Sequence, residues 1–196
     1  MIIAGAGSAG KETLEILLAT TSCSKDIFFY DEGKVVPDLV FDKYRVFKDE
    51  NSLKEHLVQC PDFCAAIGNS RLRKRIYERI IALGGKPINI FANNSFCISK
   101  VEVNGTIIQP GVTISYDVSI GKSCIIHANS TIGHKADIGD FVNIGPLTSV
   151  IGPITIGDHC FIGAGSVLLP NIIIGKNVII PAGSVVKRNL MDYETF

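Results

Sequence analysis

"STIGHKADIGDFVNIGP", Ser130 to Pro146, decides the fold of this chain. Ile132, Ile138 and Ile144 stand six residues apart, each followed by a glycine. Working outward, the spacing continues unbroken through Ile108, Ile114, Ile120 and Ile126 before this stretch, and through Val150, Ile156, Ile162, Leu168, Ile174, Ile180 and Val186 after it. Four positions after the aliphatic sits a small or β-branched residue, as at Val118, Cys124, Ser130, Ala136, Thr148, Ser166 and Ser184. A period of six is neither helical nor a plain alternation; it is the signature of a solenoid. The aliphatics point inward from short strands, and the glycines are expected to allow the sharp corners. Three hexads close one triangular coil. Residues 18 apart therefore stack in columns, spaced by roughly the 4.8 Å that separates neighbouring strands.

The columns give surface positions a meaning. His134 stacks with Gly152, Pro170 and Arg188, which predicts an emptied slot beside the imidazole. His127 stacks with Gly145 and Gly163. Asp117 with Lys135, Lys122 with Asp140, and Asp158 with Lys176 read as weak surface ion pairs. A histidine titrates near neutral pH, so an imidazole beside an open slot is suited to general-base work. Cys124 and Cys160 fall at inward positions and read as packing residues.

The first 90 or so residues read differently. "MIIAG", "IFFYD", "FCAAIGN" and "PINIF" have the character of strands. "KETLEILLATT", "NSLKEHLVQ" (capped by Asn51 or Ser52) and "RLRKRIYERIIALGG" have the spacing of helices. Alternation of this kind predicts a mostly parallel sheet with helices on its faces. "GAGSAG", Gly5 to Gly10, is a G-x-G-x-x-G between a strand and a helix, and Asp31 follows 21 residues later. That arrangement lets backbone N–H groups approach a pyrophosphate at a helix N-terminus, with Asp31 free for a ribose or a base. The basic run "SRLRKRIYERI" reads as the wet face of a helix, with Leu72, Ile76 and Ile80 buried; a phosphate contact from Arg71 or Arg73 is the lesser reading.

The chain has 196 residues, a formal net charge of zero and 46% hydrophobic content. Balanced charge argues against a nucleic-acid or anionic-membrane partner. No signal peptide or transmembrane run is visible, and the six cysteines form no C-x-x-C pair. A cytoplasmic protein with reduced thiols is expected.

The repeats resemble the left-handed parallel β-helix of hexapeptide-repeat acyltransferases. The hand comes from the resemblance and not from the periodicity. Joined to "GAGSAG", "FYDEG" and "AAIGNSRLRKRIY", the repeats resemble bacterial acetyltransferases that act on 4-amino groups of nucleotide-linked sugars, a group that also includes sialic acid O-acetyltransferases. The expected fold is a half-Rossmann βαβ domain over residues 1–92 followed by a left-handed β-helix over 93–196.

The resemblance implies acetyl-CoA as co-substrate, a UDP- or dTDP-linked 4-amino-4,6-dideoxy sugar as acceptor, a role in surface-glycan synthesis, a homotrimer and no metal. It puts the catalytic base at His134 and substrate contacts at Gly7, Ser8, Gly10, Asp31, Glu32, Gly68, Asn69 and His127. It puts coenzyme contacts at Asn143, Gly152, Gly163, Ala164, Ala182, Lys187 and Arg188, with a backbone N–H near Gly152 as oxyanion donor. Two departures stand out. Lys135 occupies a place where the family often has an acidic residue, which leaves Asp140 or a backbone carbonyl to orient the imidazole. The sequence closes on "VVKRNLMDYETF" without the family's usual tail, so either the sequence is truncated or part of the coenzyme's wall is expected to be missing. Sugar O-acetylation, a non-catalytic scaffold, and a zinc hydratase built on His127, His134 and His159 are the competing readings. The last is disfavoured because the three histidines fall on different faces.

Overall fold

The computed structural model describes residues 1–20, 26–99 and 101–196; Cys23 lies outside them. Three short apolar strands, β1 (Ile2–Ala4), β2 (Phe28–Tyr30) and β5 (Asp62–Ala65), form the parallel centre of the N-terminal sheet. They are flanked by α1 (Ser8–Thr20), α2 (Glu50–Gln59) and α3 (Ser70–Ala82). A hairpin of β3 (Leu39–Val40) and β4 (Tyr44–Phe47) adds an antiparallel edge that the sequence reading did not foresee. With β6 (Lys86–Pro87) the order is β3-β4-β2-β1-β5-β6. The α2 cap is Asp49, whose carboxylate accepts from the Ser52 N–H at 2.9 Å, and not Asn51 or Ser52. "PINIF" is not one strand: Lys86–Pro87 pairs in this sheet, while Ile90–Phe91 pairs with Ile107–Ile108 of the solenoid.

The solenoid is a left-handed parallel β-helix with three faces of stacked strands. Its register steps by one coil throughout, as in Thr113↔Thr131, Thr131↔Ser149, Ser149↔Val167 and Val167↔Val185. Every aliphatic residue of the six-residue series is buried in one continuous core. The residues four positions on do more than pack. Ser130 Oγ donates to the Gly145 carbonyl at 2.8 Å, and Thr148 Oγ1 to that of Gly163 at 3.3 Å. The thiols of Cys124 and Cys160 do the same toward Gly139 and Gly175. Burial pushes these thiols up to about 12 and about 11, so they stay protonated. No helix among the described residues is long and apolar enough to cross a membrane.

The expected role of the glycines needs correcting. The left-handed corners recur every six residues, but at other positions: Asp117, Ser123, Asn129, Lys135, Phe141, Leu147, His159, Asn171 and Asn177 all have positive φ, joined by Gly105, Gly111, Gly165 and Gly183. The glycines after the aliphatics serve close stacking. A Cβ on Gly133 would lie 2.5 Å from the Gly152 nitrogen, and one on Gly163 2.3 Å from that of Ala182. Gly152 likewise does not open a slot. It is buried, and its Cβ would meet the His134 carbonyl oxygen at 1.7 Å, so its hydrogen faces the neighbouring coil's backbone. Of the expected surface pairs, Lys122–Asp140 (4.0 Å) and Lys176–Asp158 (2.9 Å) form.

Gly152→Ala is therefore expected to force the second and third coils apart and destabilise the protein by about 4 kcal/mol or more, the range of severe backbone clashes. Thermal unfolding measures this; a melting temperature within about 2 °C of the parent would show that the coils are not in contact there.

Candidate active site

The glycine loop after β1 folds as its spacing implies. Gly5 has φ +106°, where a Cβ would strike the Ala66 carbonyl, and a Cβ on Gly10 would strike the Gly5 carbonyl oxygen at 1.8 Å. Gly7 and Gly68 have open space where a Cβ would stand, which leaves backbone facing outward. Between them lies a cavity of about 320 Å³, lined by residues including Gly7, Ser8, Asp31, Glu32 and Gly68. Five of the eight expected substrate residues thus come together.

The other three sit elsewhere. Gly10 packs under the loop, Asn69 caps α3 by accepting from the Leu72 N–H at 2.9 Å, and His127 lies on the solenoid. Asp31 has a structural task that the sequence reading missed. Its carboxylate accepts from the Ala6 and Gly33 N–H groups, each at 2.9 Å, and ties the glycine loop to the end of β2. Glu32 is ion-paired with Arg75 (3.0 Å) and Arg79, and the Tyr30 hydroxyl donates to it.

Arg73 overturns the reading of α3 as a helix with a simple wet basic face. It is wholly buried, while Leu72 is 38% exposed and lines the cavity. The guanidinium donates to the carbonyls of Ile67 (2.6 Å), Ser123 (2.8 Å) and Phe141 (2.7 Å). Burial lowers its pKa to about 10, so it remains charged. Asn143, expected beside the coenzyme, instead donates to the Gly68 carbonyl at 2.6 Å, and its Oδ1 is buried without a partner. Arg73 and Asn143 together fasten the Gly68 side of the cavity to the solenoid. No motif announces Arg73; the signal available was an arginine one turn before Tyr77, on the stripe that α3 buries.

The solenoid's three corners carry different residues. His134 is half-buried and follows the strand Thr131–Ile132. Its ring stacks on Tyr116, one coil earlier, with centroids 5.4 Å apart and planes 13° from parallel. The column rule extended backward by 18 residues would have found Tyr116. Asp140 is not the orienting group; it lies on another corner and accepts from the Lys122 N–H at 2.7 Å. Lys135 is exposed at the corner.

His127 shares a different corner with Gly163, Ala164 and Ala182, while Gly152, Lys187 and Arg188 lie along the His134 side. Arg188 ion-pairs with Glu194 at 2.7 Å. His159 occupies the third corner, stacked on Phe141 at 5.3 Å. The three histidines are thus held apart, and no group of three metal-ligating side chains occurs among the described residues. Burial lowers the pKa of His127 and His159, and of His56 on α2, below the usual histidine value.

Comparison with known proteins gives the following. Residues 1–80 match the PglD N-terminal domain family, residues 135–169 the bacterial transferase hexapeptide family, and residues 153–188 the hexapeptide repeat of succinyl-transferase. A GDP-perosamine N-acetyltransferase of Escherichia coli O157:H7 is 35% identical over 135 residues, which span 65% of this chain and 58% of that protein. PerB from Caulobacter crescentus, solved with CoA and GDP-perosamine, superposes with a TM-score of 0.89 at 27% identity, over 99% of this chain and 91% of that one. The acetyltransferase domain of PglB from Neisseria gonorrhoeae, solved with acetyl coenzyme A, has the same fold, with a TM-score of 0.91 at 24% identity over 99% and 93% of the two chains.

Two outcomes follow from this geometry. Arg73→Leu leaves three buried carbonyls without a donor, at about 1–3 kcal/mol each. It is expected to lower stability by about 3 kcal/mol or more in denaturant unfolding, and Arg73→Lys by less; an Arg73→Leu protein as stable as the parent would remove Arg73 as the fastening. The second concerns acid. His56, His127 and His159 bind protons more weakly folded than unfolded, so the unfolded state gains protons first as pH falls below the ordinary value of 6.5. Stability present above that value is lost as pH drops toward the depressed folded values. The melting temperature should fall between about pH 7.5 and about pH 5.5; a flat or rising profile contradicts it.

Proposed function

We propose that this chain, a PglD-type N-terminal domain joined to a transferase hexapeptide solenoid, is an N-acetyltransferase that moves acetyl from acetyl-CoA to the amino group of a nucleotide-linked 4-amino sugar. The observation that carries this reading is the pairing of an outward imidazole on the β-helix with a glycine-loop cavity, within an architecture shared with an enzyme solved with CoA and GDP-perosamine. GDP-perosamine is accordingly the first acceptor to test, ahead of the UDP- and dTDP-sugars that the sequence resemblance suggested. A place in surface-glycan synthesis, in the cytoplasm where acetyl-CoA and nucleotide sugars meet, follows from that chemistry.

In this reading residues 1–92 bind the nucleotide and 93–196 carry the transfer. Gly7, Ser8 and Gly68 offer backbone to the diphosphate, and helix α1 directs its N-terminus at it. His134 takes the proton of the amine as the amine attacks the thioester carbonyl, because only a neutral amine is nucleophilic. Tyr116 orients the imidazole in place of a carboxylate. The Gly152 N–H donates to no acceptor among the described residues and adjoins His134, which suits it to the oxyanion that develops on that carbonyl. Ala164 and Ala182 form a strip of small exposed residues against which the coenzyme's extended arm can lie, with Lys187 and Arg188 for its phosphates.

A homotrimer completes this reading. The N-terminal domain, through Arg73 and the Gly68 carbonyl, contacts the solenoid at Ser123, Phe141 and Asn143, whereas His134 is on a different corner of the same prism. One chain therefore separates its base from its nucleotide pocket, and a neighbouring prism must bring them together. Phe96, Ile98, Ile151 and Val185 are exposed along the face beside His134 and provide an apolar surface for such a neighbour. Closed symmetry turns that head-to-tail contact into a ring of three.

The test is release of free thiol from acetyl-CoA in the presence of GDP-perosamine and other nucleotide-linked 4-amino sugars. Activity is expected with at least one of them. His134→Ala should lower turnover about 100-fold or more, with melting temperature and the three-copy mass by light scattering unchanged. Near-normal turnover in that variant would remove His134 from the mechanism, and a fully active monomer would remove the trimer.

A further inference from the structure

A polar chain outside the cavity runs from the N-terminal domain into the solenoid and ends on His127. The Gln109 Nε2 donates to Glu12 Oε2 of α1 at 3.2 Å. Gln109 is 8% exposed. Its Oε1 accepts from the Ala128 N–H at 3.1 Å and stands 3.2 Å from His127 Nδ1. The direction of this chain is forced by chemistry. An ionised carboxylate only accepts, so the amide nitrogen of Gln109 faces Glu12 and its oxygen faces the imidazole. That oxygen also only accepts, so His127 Nδ1 carries the hydrogen and Nε2 keeps its lone pair.

Nothing among the described residues uses that lone pair. Nε2 has no hydrogen bond among the described residues, and it is not among the polar atoms buried without a partner. The residue one coil further on is Gly145, which has no side chain to cover the ring. Burial opposes protonation of the imidazole most strongly; of the charges that face it, Glu12 from α1 favours protonation and Arg73 from α3 opposes it, and the net effect lowers the pKa and favours the neutral ring.

We propose that Glu12 and Gln109 are positioning residues that hold His127 as the Nδ1–H tautomer, so that Nε2 accepts a hydrogen bond from an N–H or O–H group of a bound substrate. The assignment rests on the acetyl-transfer reading above for the identity of that substrate, but not for the tautomer. The donor is a hydroxyl or amino group of the sugar, or an amide of the coenzyme's arm; both present the same chemistry at the same corner.

The tautomer is read without any assay of activity. In the full-length protein with ¹⁵N-labelled histidine, the His127 ring is identified by its loss in His127→Asn. At about pH 7.5 its Nδ1 should show the shift of a protonated ring nitrogen and its Nε2 that of an unprotonated one. Gln109→Leu, or Glu12→Ala should the buried change unfold the chain, is expected to mix or reverse the two. A wild-type ring with hydrogen on Nε2, or a tautomer indifferent to both variants, overturns the proposal. In steady-state kinetics Gln109→Leu should raise the KM for one substrate about tenfold or more and leave the other unchanged. A rise for the nucleotide sugar names the sugar as donor, and a rise for acetyl-CoA names the coenzyme. A change in kcat alone, with both KM values held, overturns the binding role. Absence of acetyl transfer by the wild-type protein to any amino sugar would fail the functional reading and leave the ring-nitrogen result standing on its own.

Discussion

A buried cation, helped by the Asn143–Gly68 and Gln109–Glu12 hydrogen bonds, joins the two halves of this molecule. Arg73 reaches from α3 into the solenoid and gives its protons to carbonyls on both sides of the junction. A guanidinium without a carboxylate partner is costly to bury, and only several well-placed acceptors offset that cost. Those acceptors exist because corner residues 123 and 141 turn their carbonyls outward on the same corner in successive coils. The helix, the Gly68 loop and the first coils are thereby fixed to one another. Arg73 also holds the carbonyl of Ile67, whose residue lines the cavity between Gly7 and Gly68.

Much of the solenoid was legible because its rules are local and repeated. An aliphatic residue every six positions is satisfied when coils stack, and the observed register keeps the 18-residue step from Ile107 to Val186, whereas the first strands, Ile90–Phe91 and Phe96–Cys97, pair at a step of 17. The glycine loop was legible for the same reason: Gly5, Gly7 and Gly10 each answer a separate steric demand within a few residues. Sequence spacing misled where two functions of glycine look alike. Freedom to turn and freedom to be approached are both written as glycine, and only the backbone angles show that the corners belong to residues such as Asn129 and Lys135. The slot inferred beside His134 failed on this ambiguity, since Gly152 faces along the axis and not outward.

What stayed hidden in the sequence are the contacts between elements far apart in the chain. Arg73 sits among four other basic residues in one helix, and only its place on the stripe of Ile76, Tyr77 and Ile80 singles it out. Gln109 links Glu12 to His127 across sequence separations of 97 and 18 residues. Asp31 lines the cavity as its spacing implied, but its carboxylate also turns back to accept from the N–H groups of Ala6 and Gly33. In each case the side chain's partner is a backbone group or a polar atom whose position depends on the assembled fold, so no local pattern encodes it.

The coil arithmetic also constrains how such a site can change. Six inserted residues would carry His134 to the next corner of the prism, away from Tyr116 and away from the exposed apolar face of Phe96, Ile151 and Val185. Eighteen inserted residues would restore the corner but displace the histidine along the axis by one strand spacing, roughly 4.8 Å. Proton transfer requires heavy atoms within about 3.2 Å, so that displacement alone breaks a general base from its substrate. Between Phe141, which Arg73 grips, and His134, which stacks on Tyr116, a change of length would break one contact or the other. Variation must instead enter through the N-terminal domain, where Glu32 and Arg75 line the cavity without taking part in the stacking.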